Sequence, residues 1–180
     1  MRAVSDPRTD PSRAPLIRRA TPDDWPAIWP VFQGTVAAGE TYAYPEDLTS
    51  EQARGLWLEP APGEQVVCVD EDGTLLGTAK YGTNRPGRGD HVGTASFMVA
   101  PQARGRGVGR LLGEHVVARL AELGYAAIQF NAVVETNTAA VRLWQSLGFE
   151  VVGTVPRAFR SAAHGPVGLH VMHLALPAAQ

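Results

Sequence analysis

The amino-acid sequence predicts an α/β domain around a mixed sheet, on the basis of three observations. Short apolar segments of strand character alternate with segments of helical periodicity along most of the chain. The tetrapeptide Asp70-Glu71-Asp72-Gly73 separates two of the apolar segments and is typical of a hairpin turn. A strand, a glycine-rich turn and an amphipathic helix follow one another between Ser96 and Leu112. The predicted order is one strand, two helices, three strands, a helix, a strand, a helix and two strands.

The first third of the chain is predicted to contain one strand and two helices. A short strand at residues 16–20 precedes a helix that begins at Thr21, because a capping threonine, a proline and two acids favour a helix start. Residues 34–44 are expected to form a loop. A second helix follows this loop and is expected to bury Leu56 and Trp57.

The rest of the chain alternates between predicted strands and helices. Six further strands are expected at residues 65–69, 74–81, 91–99, 125–134, 150–155 and 167–175. In the helix after the glycine-rich turn, the side chains expected to recur on one face are Val108, Leu111, Leu112, His115, Val116, Leu120 and Leu123. Gly124 is expected to end this helix, and the last helix follows Asn137.

Length and composition indicate one globular domain with no general attraction to nucleic acid or membrane. The chain has 180 residues, of which 44% are hydrophobic, and a formal net charge of −2. Residues 1–14 contain prolines and charges but little that can pack, so we expect a flexible tail before a domain at residues 15–180. No segment has the length of a membrane span. The single cysteine, Cys68, can form no internal disulfide, and a cytoplasmic protein is expected.

Residues 104–109 form a glycine-rich turn, Arg-Gly-Arg-Gly-Val-Gly, that predicts an anion site. Glycines let the chain turn sharply, and they carry no side chains that would keep a ligand away from the backbone. The helix that begins at the turn leaves its first N–H groups without internal partners and carries the positive end of its dipole there. A phosphate group is therefore the expected ligand of the turn.

The spacing of the glycines excludes two common phosphate loops. A Walker A loop ends in Gly-Lys-Ser/Thr, whereas Gly109 is followed by Arg110 and Leu111. A dinucleotide fingerprint needs a third glycine or alanine, and the two candidate positions for it hold Arg110 and Leu112. An ordinary strand-turn-helix corner remains the alternative for the glycines alone. The order of strand, proline, arginine and helix argues against that alternative.

The stretch from Val99 to Leu112, Val-x-Pro-x-x-Arg-Gly-x-Gly-x-Gly-x-x-Leu, resembles the acetyl-CoA signature of the GNAT N-acetyltransferases. The core of that signature is Gln/Arg-x-x-Gly-x-Gly/Ala, which matches Arg104, Gly107 and Gly109. The predicted order of elements also matches the GNAT fold over nearly the whole chain. The resemblance implies a mixed, mostly antiparallel sheet flanked by helices, with acetyl-CoA as the co-substrate. Homodimers are frequent in this family.

The resemblance also implies where acetyl-CoA binds. Its pyrophosphate would lie on the backbone amides of residues 105–110, and its pantetheine arm would pair with the strand edge at residues 97–99. In the family that strand splays from the next one, and an N–H near Val99 would face the thioester oxygen. Three arginines would add charge near the phosphates, with a solvated basic surface as the alternative. The expected cofactor-binding residues are Phe97, Met98, Val99, Arg104, Gly105, Arg106, Gly107, Val108, Gly109, Arg110 and Asn137.

Two asparagines, Asn131 and Asn137, are the expected catalytic residues. An unpartnered amide in the apolar strand around Asn131 would be costly, whereas Asn137 has the alternative role of a helix cap. Together with Pro86-Gly87-Arg88-x-x-His91, the string from Phe130 to Asn137 resembles the GNAT branch that acetylates L-azetidine-2-carboxylate and related cyclic imino acids. In that branch both asparagines are assigned to substrate binding and catalysis. Thr94 stands where the branch has a third asparagine.

The residues around the acceptor amine are predicted from scattered polar positions. Arg85 and Arg88 could bind a substrate carboxylate, although arginines in such a loop are also commonly solvated. Glu40 or His91 could act as a base, with a structural or surface role as the alternative. The expected substrate-binding residues are Glu40, Tyr42, Arg85, Arg88 and Thr94. The tyrosine that commonly protonates the leaving thiolate in the family is replaced by Trp144, so water or another donor is expected.

These observations predict an acetyl-CoA-dependent N-acetyltransferase that transfers the acetyl group directly to a small amine, an amino or imino acid. One alternative is an enzyme of the same fold that acts on a protein N-terminus or a lysine. Another is an acetyl-CoA-binding regulatory module without turnover. No nucleic-acid partner is expected, since the aromatic residues lack basic neighbours. No metal site is expected, since the C-terminal histidines have no cysteine or carboxylate cluster beside them.

Overall fold

The computed structural model describes residues 14–58 and 61–177. Within them the chain forms seven strands and four α-helices. The strands are β1 (Leu16–Arg19), β2 (Glu64–Val69), β3 (Leu75–Thr83), β4 (Val92–Val99), β5 (Ala127–Val134), β6 (Glu150–Ser161) and β7 (Gly165–Ala175). The helices are α1 (Trp25–Ala37), α2 (Ser50–Trp57), α3 (Val108–Glu122) and α4 (Thr138–Ser146). The predicted order of elements is therefore confirmed.

The seven strands form one sheet in the order β1-β2-β3-β4-β5-β7-β6. All neighbouring strands are antiparallel except β4 and β5, which run parallel. The β4–β5 pair is joined only at its beginning, where Val92 pairs with Ala127 and Gly93 with Ile128. Beyond these two pairs the strands separate, so that the sheet is open between their carboxyl ends. The expected mixed, mostly antiparallel sheet with a splayed central pair is confirmed.

Helices cover both faces of the sheet, as consecutive residues of β3 demonstrate. Lys80 donates to the Leu56 carbonyl oxygen of α2 at 2.8 Å and lies over the ring of Trp57. The next residue, Tyr81, meets His115 of α3 edge to face, with ring centroids 6.5 Å apart. Since successive side chains of a strand point to opposite faces, α2 and α3 lie on opposite sides of the sheet.

Helix α1 is longer than predicted. It continues through Gly34 to Ala37, so the first residues of the expected 34–44 loop are helical. The reason is packing: Ile28, Phe32 and Val36 are buried at helical spacing and hold the last turn on the core. Because these contacts extend past residue 34, a single exposed glycine does not end the helix.

Three side chains predicted to be buried are exposed instead. Leu56 is 41% exposed. Helix α2 buries Ala53 and Trp57, which are four residues apart and therefore share one face of the helix. Leu56 is adjacent to Trp57 in sequence and lies outside that face. Leu111 of α3 and Leu123, which directly follows that helix, are also exposed, whereas Leu112 and Leu120 are fully buried. The buried stripe of α3 is therefore narrower than the run of apolar residues suggested. Strand β6 also extends to Ser161, beyond the predicted end at residue 155.

Other predictions for the scaffold are confirmed. The turn at residues 70–73 joins β2 and β3 in an antiparallel hairpin, and the carboxylate of Asp70 accepts the amide N–H groups of Asp72 and Thr74. Cys68 is fully buried, and burial raises the pKa of its thiol, which makes it an unreactive core residue. The predicted flexible tail at residues 1–14 lies outside the described residues, apart from Ala14.

Candidate active site

The glycine-rich turn forms the entry to α3. Gly105 and Gly107 have φ angles of 74° and 79°, in the left-handed region that favours glycine. Gly107 is the N-cap of α3, and its carbonyl oxygen accepts the Leu111 N–H at 3.1 Å. The first three helical residues, Val108, Gly109 and Arg110, therefore precede the first amide that the helix itself satisfies. Their N–H groups face the turn, at the positive end of the helix dipole.

Two amides of the turn are used internally, and one of them is the Arg104 N–H, which donates to the Pro101 carbonyl oxygen at 3.3 Å. The Arg106 N–H donates to the Ala103 carbonyl oxygen at 3.3 Å, so it is turned away from the other amides. A side chain at Gly105 or Gly107 would meet no atom within 4 Å, which means that both positions open onto free space. The amides left available to an anion are therefore fewer than residues 105–110 would provide. The anion site centres on the start of α3.

The three arginines of the turn have different surroundings. The Arg110 guanidinium donates to the Ser146 hydroxyl at 2.8 Å and lies 3.5 Å from the Glu114 carboxylate, so it ties α3 to α4. Arg104 is exposed and lines the larger of the two cavities described below. Arg106 is exposed as well, but it lines neither cavity. Of the three side chains, Arg104 is the best placed to meet a phosphate.

The edge of β4 faces the opening in the sheet. The Ala100 N–H donates to the Leu76 carbonyl oxygen of β3, and N–H groups alternate in direction along a strand. The amides of Phe97 and Val99 therefore point away from β3, towards the separated end of β5. The Tyr42 hydroxyl occupies one of these positions, since it accepts the Phe97 N–H at 2.9 Å and donates to the Phe97 carbonyl oxygen at 2.8 Å.

A larger cavity of about 870 Å³ lies between the end of β4, the start of α3 and the start of α4. It contains every residue predicted to bind the cofactor except Arg106. Its lining is Thr35, Ala38, Glu40, Thr41, Phe97, Met98, Val99, Ala103, Arg104, Gly105, Gly107, Val108, Gly109, Arg110, Thr136, Asn137, Ala139, Ala140, Leu143, Ala163 and His164. The structure therefore brings the predicted cofactor residues together around one space of suitable size.

A smaller cavity of about 360 Å³ adjoins it, and the two share Phe97, Val99 and Asn137 among their lining residues. The predicted residues Tyr42, Thr94 and Asn131 line the smaller cavity. Its full lining is Thr41, Tyr42, Ala43, Tyr44, Thr94, Ala95, Ser96, Phe97, Val99, Gly109, Phe130, Asn131, Ala132, Val133, Val134, Asn137, Ala140, Leu143, Trp144, Phe159 and Leu169. The two cavities meet where β4 and β5 separate.

Trp144 fills the position of the expected tyrosine with a packed indole. It is buried, with its ring centroid 4.6 Å from that of Phe97 and 5.0 Å from that of Phe130. Phe130 in turn stacks on Phe149 at 4.3 Å. These rings form a rigid aromatic wall beneath the junction of the two cavities. The wall offers no acidic proton to a leaving thiolate.

Asn131 belongs to a row of three amides at the rim of the smaller cavity. Its Nδ2 donates to Asn84 Oδ1 at 2.6 Å, and its Oδ1 accepts from Gln129 Nε2 at 2.8 Å. The side chain of Asn131 is therefore held on both sides and keeps one N–H free of these two bonds. Sequence reasoning missed both partners: Asn84 lies 47 residues away in the chain, and Gln129, two residues away, was not singled out in its apolar strand.

Asn137 caps α4, the alternative that the sequence left open. Its Oδ1 accepts the Ala140 N–H at 3.2 Å, and its side chain lies at the boundary of both cavities. The neighbouring Thr136 was also missed by sequence reasoning. Its hydroxyl is buried, lines the larger cavity and has no hydrogen-bond partner within the residues that the structure describes.

Glu40 is fixed as an ionised hydrogen-bond acceptor. Its carboxylate accepts from the Ser161 hydroxyl at 2.7 Å and from the Ala163 N–H at 2.8 Å. The bond from Ser161, followed by the one from Ala163, lowers the pKa of Glu40 below its ordinary value. A low pKa makes this carboxylate a weak base, so it serves to join the loop after α1 to the β6–β7 hairpin.

The remaining predicted residues lie apart from the cavities. Arg85 and Arg88 are exposed in the turn between β3 and β4, and neither lines either cavity. His91 is exposed at the start of β4. The loop of Arg85 is linked to the site through its neighbour Asn84, whose side chain meets Asn131.

The described residues, 14–58 and 61–177, contain neither of two other kinds of site. No cluster of three or more histidine, cysteine, aspartate or glutamate side chains suited to a metal ion occurs in this part of the chain. Among the helices described there, none has both the length and the apolar character needed to span a membrane.

The fold and the site define an acyl-CoA-dependent transferase, and comparison with known proteins identifies the family. The model of the acetyltransferase (GNAT) family matches residues 24–149, and the chain therefore belongs to this family. A solved GCN5-related N-acetyltransferase from Kribbella flavida is 59% identical and superposes with a TM-score of 0.88, over 91% of this chain and 98% of the other. The protein is an acetyl-CoA-dependent N-acetyltransferase.

Two further proteins are similar to this chain, one in sequence and one in fold. The L-methionine sulfoximine/L-methionine sulfone acetyltransferase of Pseudomonas aeruginosa is 32% identical over 150 residues, which are 78% of this chain and 83% of the relative. The putative acetyltransferase yncA of Salmonella typhimurium, solved with its cofactor acetyl-CoA, is 24% identical. It superposes with a TM-score of 0.78 and covers 93% of this chain and 96% of the other, which shows the same fold.

Proposed function

We propose that the larger cavity holds acetyl-CoA and that the smaller cavity holds a small amine, an amino or imino acid, which receives the acetyl group. The observation that carries this proposal is the junction of the two cavities at Phe97, Val99 and Asn137. A cofactor anchored at the start of α3 and extended along β4 would present its acyl group at this junction. An acceptor in the smaller cavity would then reach the thioester without a covalent enzyme intermediate.

The start of α3 would anchor the diphosphate. Val108, Gly109 and Arg110 line the larger cavity, and the dipole of the 15-residue helix that they begin favours an anion there. Arg104 would add a positive charge beside it. The Thr136 hydroxyl, which lacks a partner within the described part of the chain, would gain one from the polar groups of the bound cofactor.

The edge of β4 would orient the thioester. Val99 directs its N–H into the opening, whereas the amide of Phe97 is occupied by Tyr42. A hydrogen bond from Val99 to the thioester oxygen would stabilise the negative charge that develops on this oxygen during attack. The aromatic wall of Trp144 and Phe130 would hold the reacting groups against this edge and exclude water from one side.

The two asparagines would position the acceptor. Asn131, held between Asn84 and Gln129, would direct its remaining N–H towards a carboxylate or amine lone pair in the smaller cavity. Asn137 Oδ1 accepts the capping hydrogen bond of α4, which leaves Nδ2 to contact the substrates at the junction. Both residues would therefore act by orientation, because an amide group is neither a practical acid nor a practical base at neutral pH.

In this proposal, water takes up the proton that the amine loses and supplies the proton that the thiolate gains. The amine nitrogen forms a bond to the acetyl carbon, the carbon–sulfur bond breaks, and the amine proton leaves to water. Glu40 is too weakly basic to take that proton, and the Tyr42 hydroxyl donates its own hydrogen to the Phe97 carbonyl oxygen. Trp144 is not an acid, so the thiolate takes its proton from water as well.

An amino acid is the acceptor class that two facts favour. The Pseudomonas aeruginosa relative is a methionine sulfoximine and methionine sulfone acetyltransferase, and both of those compounds are amino acids. The row of amides at Asn131 offers hydrogen bonds to an α-carboxylate, and Arg85 and Arg88 lie in the loop that carries Asn84. The smaller cavity, at about 360 Å³, has the size of such a molecule and not of a folded protein segment.

A thiol-release assay tests the proposal. Acetyl-CoA is mixed with the protein and with a panel of free amino acids, cyclic imino acids, simple amines and peptides with free N-termini. We expect release of free thiol with members of the first two groups and matching N-acetylated products by mass spectrometry. Release confined to peptides would instead assign the site to protein N-termini. Acetyl-CoA binding without release on any acceptor would overturn the proposed acceptor class.

A further inference from the structure

The described residues that line the smaller cavity include no charged side chain. Among the described residues that line it, none is aspartate, glutamate, lysine, arginine or histidine. Its walls are largely aromatic and aliphatic, with Tyr44, Phe130, Trp144, Phe159 and Leu169 as the large members. The polar groups are neutral amides and hydroxyls: Asn131 is exposed at the rim, and Asn137 lies at the junction with the larger cavity.

Four charged or titratable side chains discussed above line the larger cavity and not the smaller one. Glu40 and His164 line the larger cavity, where Ser161 and Ala163 hold the Glu40 carboxylate. Arg104 and Arg110 line the larger cavity as well, at the start of α3. A charged group of an acceptor would therefore find no ionic partner inside the smaller cavity.

The smaller cavity has an exposed polar rim and a buried apolar wall. Asn84, Asn131 and Gln129 form their row at the exposed rim, whereas Phe130 and Trp144 are buried in the wall. An α-carboxylate at the rim keeps contact with water and gains hydrogen bonds from the amides. A side chain that points inwards meets only neutral and mostly apolar groups. Placing an unpaired charge there would cost far more than it gains.

We propose that the acceptor is an amino acid with an uncharged, largely apolar side chain, which enters the smaller cavity while its α-carboxylate stays at the amide row. This inference rests on the proposed function and narrows its substrate class. Amino acids with carboxylate, ammonium or guanidinium side chains are poor acceptors, because the cavity cannot pair their charge. Selectivity in this site is thus determined by the absence of charge on its walls.

The first experiment compares acceptors of similar size on the intact protein. L-methionine and L-leucine are set against L-glutamate and L-lysine at saturating acetyl-CoA, and kcat/KM is measured by thiol release. We expect the two uncharged acceptors to exceed both charged ones by about 100-fold or more, the ratio that an unpaired buried charge typically produces. Equal kcat/KM values for the four amino acids would overturn the inference and leave the proposed function intact. Release with none of the free amino acids tested would overturn both.

A matched pair of variants tests the charge of the wall directly. Ala132 lines the smaller cavity and is exposed, so a polar side chain there is tolerated by the fold. Ala132→Asp places a carboxylate in the cavity, and Ala132→Asn places an uncharged group of the same shape there. We expect Ala132→Asp to raise the lysine-to-methionine ratio of kcat/KM by about tenfold, through an opposite charge at close range. Ala132→Asn should leave that ratio within about twofold of the wild type. An unchanged ratio in Ala132→Asp would contradict the inference.

Discussion

The larger and the smaller cavity share a wall, yet they are built in different ways. The larger one takes about half of its lining residues from one continuous segment, Phe97 to Arg110, and presents backbone amides at the start of α3. The smaller one is formed by side chains from the loop after α1, from β4 to β7 and from α4. A site made of backbone is specified by local sequence and accepts a fixed chemical group. A site made of side chains from distant segments can change its ligand through single substitutions.

The first prediction concerns the backbone site and has the largest expected effect. Gly107→Asp should weaken acetyl-CoA binding by about 100-fold or more, because it places a carboxylate where a phosphate belongs. Gly107 has a φ of 79°, so any other residue there also strains the backbone. Gly107→Asn carries the same strain without the charge, and its loss of affinity should stay within about tenfold. Calorimetric titration with acetyl-CoA measures both. Equal affinities in the two variants would refute the anion assignment.

The second prediction concerns the side-chain site. Asn131→Ala should lower kcat/KM for the acceptor by about 10- to 100-fold, because it removes an amide that orients the acceptor. Acetyl-CoA affinity should remain unchanged, since Asn131 does not line the larger cavity. Steady-state kinetics with each substrate varied in turn measures both quantities.

Asn84→Ala is the matched control for this second prediction. It removes only the support that Asn84 gives to Asn131 Nδ2, so the loss of kcat/KM should be several-fold smaller. If Asn131→Ala lowered acetyl-CoA affinity as much as it lowered turnover, Asn131 would belong to the cofactor site instead.

The third prediction concerns the scaffold of the larger cavity and has the smallest effect on activity. At the far end of α3, Arg119 donates to the Glu64 carboxylate of β2 at 2.8 and 3.0 Å, and Tyr81 donates to it as well. The hydrogen bonds from Arg119 are the main reason that the pKa of Glu64 falls to about 2. A carboxyl whose pKa is lowered by folding stabilises the protein above its unfolded pKa. That stabilisation is lost as the pH falls from about 4.5 towards 2.

Arg119→Met removes this pairing. The free energy of unfolding should fall at pH 7 and should then change less between pH 5 and pH 3 than in the wild type. Arg142→Met, at an exposed arginine of α4, should leave the pH dependence unchanged. Urea unfolding at the three pH values measures this, and the ratio of kcat/KM between acceptors should be unaffected by either variant. A changed acceptor preference in Arg119→Met would show that the Arg119–Glu64 pair is coupled to the smaller cavity through α3.

The difference between the two cavities also explains how much of the structure the sequence could predict. The order of elements and the cofactor turn were predictable, because glycines at positive φ and a helix start after a proline leave a local pattern. The smaller cavity was predicted only in part. Tyr42 and Asn131 were expected there, but their partners Phe97 and Asn84 lie 55 and 47 residues away in the chain. Such pairs depend on the register of the sheet, which local patterns do not encode.

Burial was hardest to predict where apolar residues are adjacent on a helix. Leu111 and Leu112 are neighbours of the same type, yet only Leu112 faces the core. The choice between them follows from the position of α3 on Gly77 of β3, where a side chain would meet Leu112 at 3.0 Å and Val108 at 3.1 Å. This close approach of a helix to a glycine in a strand is a tertiary contact. Periodicity alone cannot select it.

The most direct test of the account is a crystal structure of the protein with acetyl-CoA bound. We expect the diphosphate within hydrogen-bond distance of the amides of Val108, Gly109 and Arg110. The thioester should lie at the junction of the two cavities, with its oxygen near the Val99 N–H and its acetyl group open to the smaller cavity. A cofactor whose diphosphate lies away from the start of α3, or whose acetyl group points away from the smaller cavity, would contradict the account.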